Sequence, residues 1–377
     1  MRILFIDFDL PHLLRDSEYP VGGWAVQLRQ ILIALSAAGH YAGVLTWEGA
    51  NAYVGQQSVC ELVETYDPKK GIRKLRFGYY FLPALIRGVH AFKPDVIVQS
   101  CSGFNTGVMA FIARLFGIPF VHRIACDTDA DGRYTIYLNS REQLGYRFGL
   151  KNSQLVVCQN DYQRDSIREL FPQKPVQIVR NLILRADTNA AHSPSGRTYV
   201  AWLGVFRRQK NLPLLLRIAT ALPQVRFRIG GMANARLDAE TKAAIEGLKK
   251  LPNVEFAGYI RREGVSDFLK GAIALLSTSD FEGFSNVFLE ALQNGTPVVA
   301  RKAVDPDSIF ARNKLGLIAD DEAGLIENVE AVCRMDAGTY EQLSQRCRNY
   351  VDANHSPEIG VAALIGALSM VTAGAPS

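Results

Sequence analysis

Glu282 and Glu290 flank a turn that runs into a helix, an arrangement suited to holding a phosphate with a carboxylate at either end. An apolar run at residues 272–276 reads as a buried parallel strand and stops at Ser277-Thr278-Ser279. Residues 280–283 then turn, and Val287, Phe288, Ala291 and Leu292 recur on one face of a helix. Gly295 ends that helix, and Pro297 opens a further strand at 298–300. Strand, tight turn and helix start deliver the backbone N–H groups of Phe284, Ser285 and Asn286 to one spot, with the positive helix end behind them. Eight residues of helix span about 12 Å, which matches a sugar diphosphate plus ribose. Glu282 is thus placed to face a sugar and Glu290 to face ribose hydroxyls. Without any ligand, the same pair reads as a first-turn acid favoured by the dipole and a solvated glutamate.

Three further strand ends carry polar groups. The strand at 199–203 is followed by Gly204-Val205-Phe206-Arg207-Arg208-Gln209-Lys210-Asn211, which puts three cations before a helix at 212–222. They are poised for a diphosphate, or they form a solvated loop. The strand at 3–7 leads through a polar loop, 10–21, to Gly22-Gly23. A helix follows, marked by Trp24, Leu28, Ile31, Leu32 and Leu35. That junction is either a phosphate approach or a hinge. The strand at 119–125 contains His122 and runs into Cys126-Asp127-Thr128-Asp129. Asp127 and Asp129 would lie at a parallel strand's carboxyl end, and Asp-x-Asp also reads as an oxygen-ligand metal motif.

The elements that must position these groups alternate strand and helix through both halves of the chain. Each half is therefore expected to be a parallel, doubly wound α/β sheet. At 377 residues, two domains fit better than one. The expected division is 1–185, 197–355 and a final helix at 356–377, with a polar linker across 181–197. A net charge of +5 is a mild basic excess, suited to anionic substrates or a membrane surface and too weak to argue for nucleic acid. Six cysteines show no CxxC pairing and mostly lie in apolar segments, so buried free thiols are expected. The first residues are too short an apolar run for a signal peptide, and no run of 18 apolar residues exists, which points to the cytoplasm. Residues 69–90 mix Lys69, Lys70, Arg73, Lys74, Arg76 and Arg87 with aromatic and aliphatic residues. They are either a peripheral contact with an anionic membrane face or an ordinary helix edge.

Glu282-Gly283-Phe284-Ser285-Asn286, then Glu290-Ala291 and Gly295-Thr296-Pro297-Val298-Val299, resembles the signature of the large retaining glycosyltransferase family with the GT-B fold, glycosyltransferase family 4-like. The resemblance implies two Rossmann-like domains facing across a cleft, and a sugar moved from a nucleotide diphosphate sugar to a glycan or lipid-linked acceptor. It implies that Glu282 contacts the donor sugar, Glu290 binds the ribose, and the helix start at Gly283 to Asn286 holds the diphosphate. It also brings Gly22 and Gly23 near the donor phosphates and Tyr259 to the nucleobase. Lys210 matches the family's lysine six residues after Gly204. Val205 departs from the pattern where a basic residue is usual, and Arg207 or Arg208 would stand in. A histidine common just past the strand at 119–125 is absent, which leaves Asp127 or Asp129 as the nearest replacement. No metal cofactor is implied, although Asp127-Thr128-Asp129 keeps a Mg2+ alternative open. Two rival readings follow from the departures: a non-catalytic nucleotide-sugar-binding subunit, and a sugar-nucleotide epimerase on the same fold.

Overall fold

The computed structural model describes residues 1–57, 59–185, 196–233 and 237–373. The chain divides into two compact units, Met1–Leu182 with Pro357–Ser377, and Ile183–Ser356. Most of the linker predicted at 181–197 lies outside the described residues. The final helix, Pro357–Thr372, belongs to the first unit and packs on helix Gly23–Ala37. Its Gly360 rests on Leu182, so close that an added Cβ would be 2.6 Å from the Leu182 Cβ.

The first unit is built on seven parallel strands: β1 (Arg2–Ile6), β2 (Tyr41–Thr46), β3 (Glu61–Glu64), β4 (Val96–Ser100), β5 (Phe120–Arg123), β6 (Leu155–Cys158) and β7 (Val176–Ile178). Their order is β3-β2-β1-β4-β5-β6-β7. The second unit has six: β8 (Tyr199–Leu203), β9 (Phe227–Gly230), β10 (Val254–Gly258), β11 (Ala272–Ser277), β12 (Val298–Arg301) and β13 (Gly316–Ala319), ordered β10-β9-β8-β11-β12-β13. All pairings are parallel. The central strands are covered by helices on both faces, which is why they read as unbroken apolar runs: every residue of β4 and β6 is buried. Strand order reverses between β1 and β4 and again between β8 and β11. Carboxyl ends at such a reversal leave a crevice for a ligand.

Some elements escaped the sequence. Edge strand β3, Glu-Leu-Val-Glu, is too short and too polar to show an apolar run. Residues 10–21, expected as loop, begin with a helical turn, Leu10–Leu14, because the Asp7 carboxylate accepts from the N–H groups of Asp9 (2.8 Å) and Leu10 (2.5 Å). Helix Arg262–Lys270 also went unpredicted.

One expectation needs correction. Only Cys158 and Cys347 of the six free cysteines are buried; Cys60, Cys126 and Cys333 are half-buried and Cys101 is exposed. In the 69–90 segment, Phe77, Tyr80, Phe81 and Leu82 turn inward onto the first unit's core, with Phe81 stacked on Tyr66 at 4.0 Å. Their packing leaves Ile72, Leu75 and Tyr79 as that segment's exposed large apolar groups. Among the described residues no helix is long and apolar enough to cross a membrane.

Candidate active site

In the second unit, the loops that leave β8 and β11 are joined by a ladder of hydrogen bonds. Trp202 Nε1 donates to Thr278 Oγ1 (3.0 Å), and Thr278 Oγ1 donates to the Lys210 carbonyl (2.7 Å). Asp280 N donates to the Gln209 carbonyl (2.9 Å), and Gln209 Nε2 donates to the Phe281 carbonyl (2.7 Å). The Asp280 carboxylate then takes Asn211 Nδ2 (2.8 Å) and Arg301 Nη1 (2.6 Å). Asn211, at φ +50°, caps helix Leu212–Ala221 by accepting from Leu214 N. The ladder fixes Lys210 opposite Glu282: Nζ lies 2.5 Å from Oε1, with the two side chains 12% and 9% exposed. Residues 72 positions apart thus form one charged pair at the strand reversal. The loop after β9 closes down from the side. Gly231, at φ +134°, meets Gly204 so tightly that an added Cβ would fall 1.9 Å from its carbonyl oxygen.

Helix Asn286–Gln293 starts beside this pair in sequence. Ser285 occupies its N-cap in extended conformation, yet the side chain makes no capping bond, and the first turn holds no acid. The positive helix end is therefore not quenched by its own side chains. Phe284 is buried, stacked on His355 (5.3 Å) and Phe310 (5.9 Å), so its ring anchors the loop. Glu290 is not a solvated surface acid, for it is only 5% exposed. Arg262 Nη2 approaches its Oε1 at 2.6 Å as an ion pair, but without hydrogen-bonding geometry, and Oε1 has no hydrogen-bond partner. Arg207 and Arg208 are exposed and stand outside the Lys210–Glu282 pair, with Arg208 lowering the Asp238 pKa by its charge after that residue's own helix-capping bonds. Tyr259 is half-buried and follows Gly258, whose carbonyl accepts from Gly231 N. Arg262 and Arg301 were missed by sequence reasoning. A cation at a strand's carboxyl end was the one signal, and it was present at Arg301.

The first unit treats its polar groups differently. Gly22 caps helix Gly23–Ala37 at φ −68°, a conformation open to any residue, and an added Cβ would meet only Asp9 Oδ2 at 3.9 Å. Its lack of a side chain leaves open space at the helix start and meets no backbone need. Asp127 is buried and accepts from Gln163 Nε2 (2.8 Å) and Asn160 Nδ2 (3.3 Å); burial pushes its pKa up to about 7. Asp129 accepts instead from Ser102 Oγ (2.7 Å) and Cys126 N (3.2 Å), and burial raises it to about 6. The two carboxylates are thus tied to different partners. Among the described residues, no group of three or more His, Cys, Asp or Glu side chains is placed to hold a metal ion. His122 is a core histidine, bonded to Gln99 at 2.9 Å and lowered to about 3 by burial. Beside it, Arg123 is buried, gives Nη2 to Asn181 Oδ1 at 2.5 Å and lies 5.5 Å over the Trp24 ring. Nothing in the sequence marked that arginine as buried.

Two doubly wound parallel sheets, one carrying a charged pair at its strand reversal, define the GT-B class of α/β protein. Family models agree: "Glycosyl transferase 4-like domain" matches residues 22–182, and "Glycosyl transferases group 1" matches 185–350. The chain belongs to the glycosyltransferase family 4-like group of GT-B proteins. It is similar to the lipopolysaccharide core biosynthesis glycosyltransferase LpsE of Rhizobium meliloti, 23% identical over 189 residues, a match spanning 48% of this chain and 54% of that relative. The chain thus spans about half the length of the curated relative it matches. Its fold is similar to sucrose-phosphate synthase from Thermosynechococcus elongatus, with a TM-score of 0.76 at 19% identity over 98% of both chains. It is equally similar to Anabaena HepE, a structure holding UDP and glucose, with a TM-score of 0.76 at 16% identity over 98% of this chain and 100% of that one.

Proposed function

We propose that the protein transfers a sugar from a nucleotide diphosphate sugar to a glycan or lipid-linked acceptor, with retention at the anomeric carbon. The setting would be lipopolysaccharide-type or other polysaccharide assembly, on the cytoplasmic side. The Lys210–Glu282 pair at the β8/β11 reversal carries this reading. A lysine held by a carboxylate and a helix N-terminus without a side-chain cap together form an anion seat that is already ordered. Support for the pathway comes from the lipopolysaccharide role in the name of LpsE, and for the donor class from the UDP held by HepE.

In this mechanism the diphosphate settles at the start of helix Asn286–Gln293 and the donor sugar displaces Glu282 from Lys210. Lys210 then turns to the phosphate oxygens, where charge grows as the glycosidic bond breaks. Glu282 holds a sugar hydroxyl. Glu290 takes the ribose hydroxyls through its unbonded Oε1, with Arg262 giving way. The acceptor oxygen attacks the face that the diphosphate leaves, and the departing phosphate takes the proton. This route needs no carboxylate nucleophile and keeps the anomeric configuration. Lys210 and the helix end supply the positive potential, with no Mg2+ in the scheme. Asp127, in the first unit, is assigned the place of the histidine that other family members carry.

The test is incubation with UDP-, GDP- and ADP-sugars and a saccharide acceptor, with and without EDTA. Nucleoside diphosphate release is followed over time, and the product anomer is read by proton NMR. Transfer with retention, unaffected by EDTA, is expected. Binding without release would indicate the non-catalytic subunit, and a sugar altered while still on its nucleotide would indicate the epimerase.

A further inference from the structure

Six of the first unit's exposed large apolar side chains fall on three helices between residues 104 and 152. They are Phe111 (46% exposed) and Leu115 (56%) on helix Phe104–Phe116, Ile136 (71%) and Tyr137 (55%) on Tyr134–Tyr137, and Leu144 (72%) and Phe148 (41%) on Ser140–Asn152. Single exposed apolar residues are ordinary, but such a concentration is not. Helices Phe104–Phe116 and Ser140–Asn152 lie side by side with their backbones nearly touching. A Cβ on Gly107 would be 2.6 Å from the Gly145 carbonyl oxygen, and one on Gly149 would be 2.6 Å from Thr106 Cγ2. The short helix is tied to the start of the second by Gln143 Nε2, which donates to the carbonyls of Thr135 (3.1 Å) and Leu138 (2.7 Å).

Charge on this surface has one sign. Arg141, Leu144, Phe148 and Lys151 follow one another at helical spacing on a single stripe, with Arg147 alongside, and Arg114 stands between Phe111 and Leu115. All four of these cations on the two long helices, Arg114, Arg141, Arg147 and Lys151, are exposed. Among the described residues, no carboxylate from 104 to 152 is exposed. Asp127 and Asp129 are buried, Asp131 is paired with Arg133 at 2.6 Å, and Glu142 closes a capping box on Asn139 N at 2.9 Å.

We propose that the outward face of helices Phe104–Phe116 and Ser140–Asn152 is a docking surface for a bilayer rich in anionic lipid. The apolar side chains enter the headgroup boundary, while the long stems of the arginines and Lys151 reach up to the phosphates. A protein partner would call for acids to pair with a mixed rim; a uniformly basic rim around apolar groups matches an anionic lipid surface. The membrane face thereby moves away from residues 69–90, where Phe77, Tyr80 and Phe81 pack on the core. This deepens the proposed function by placing the enzyme beside a lipid-linked acceptor. Vesicle binding is read without donor or acceptor, so its failure would leave the transfer reading intact.

The test is co-sedimentation of the full chain with vesicles of phosphatidylcholine alone and with one-third phosphatidylglycerol. The chain is expected to pellet with the anionic vesicles and to be released by salt. Arg147→Glu with Lys151→Glu should lower partitioning roughly 30-fold or more. Leu144→Glu with Phe148→Glu should abolish it, with circular dichroism and donor turnover in solution unchanged. A wild-type chain that stays in the supernatant would overturn the proposal. So would loss of binding through Ile72→Glu with Leu75→Glu while the Leu144/Phe148 variant still binds. Self-association in sedimentation velocity that the Leu144/Phe148 change removes, without any vesicle binding, would assign the face to a second copy instead.

Discussion

The two sheets reverse strand order in equivalent ways, yet the charges at their carboxyl ends are handled in opposite fashions. In the second unit three carboxylates near the reversal have a cation: Glu282 has Lys210, Glu290 has Arg262 and Asp280 has Arg301. In the first unit Asp127 and Asp129 are buried among neutral donors, and burial lifts both toward neutrality. Paired charges keep a cation ordered and ready for an incoming anion. Suppressed charges keep a carboxyl whose proton is exchangeable near pH 7. On the proposed reading, the first arrangement suits a leaving phosphate, while the second keeps carboxyls that are neutral over a wider pH range.

The largest expected effect breaks the charged region. Lys210→Ala should lower kcat roughly 10²–10³-fold, the scale for losing one preorganised donor, while KM for the donor rises less. It also strands Glu282 without its cation, and leaving a buried partner unpaired typically costs about 3–5 kcal/mol. A lower melting midpoint should therefore accompany the kinetic loss, and Lys210→Arg should recover both only in part. Normal kcat with a lowered midpoint would reduce the pair to a structural clasp.

Next comes Glu290→Gln, expected to weaken nucleoside diphosphate binding roughly 10- to 150-fold by removing a charge-assisted bond worth about 1.5–3 kcal/mol. Calorimetry with UDP, GDP and ADP reads this directly, and unchanged affinity for the preferred nucleotide would end the ribose assignment. Glu282→Ala separates the two carboxylates. It should leave nucleoside diphosphate affinity within a few-fold, since it frees Lys210 for the phosphate, but should reduce turnover of the nucleotide sugar. Equal weakening of both ligands would mean that Glu282 only supports the loop.

The legibility of the two regions differed for the same physical reason. Turn, helix start and both glutamates lie in one continuous stretch, 279–300, so local periodicity could place them. The Lys210 loop also followed a strand and preceded a helix, both readable from apolar spacing. What closes the pair is the parallel adjacency of β8 and β11, and adjacency is not written in either segment. Arg262 escaped because its helix is mostly polar, with Val265, Phe268 and Leu269 its only buried residues. In the first unit, Asp127 stood out as a candidate, but its burial depends on Gln163 and Asn160, over 30 residues away. Edge strand β3 and the buried Arg123 failed for a related reason: charged residues at those positions argue against burial until the tertiary neighbours are known.

The smallest stability effect probes the suppressed region through Asp127→Asn. Burial pushes Asp127 up to about 7 in the fold, from the ordinary aspartate value of 3.8. Between those values the folded state keeps a proton that the unfolded chain has lost, so this group's contribution to stability falls as pH rises. The penalty is complete above about pH 7 and absent well below pH 4. Asparagine retains the carbonyl that accepts from Gln163 and Asn160 but cannot ionise. The variant should therefore melt higher than the parent near pH 8, with the gap closing toward pH 4. Each kcal/mol released moves the midpoint of a unit this size by about 2–4 °C. Turnover should fall sharply at the same time, because Asp127 is assigned the place of the histidine that other family members carry. A variant that melts lower than the parent at pH 8 would show that the carboxylate is charged and stabilised there, and the contrast between the two sheets would fail.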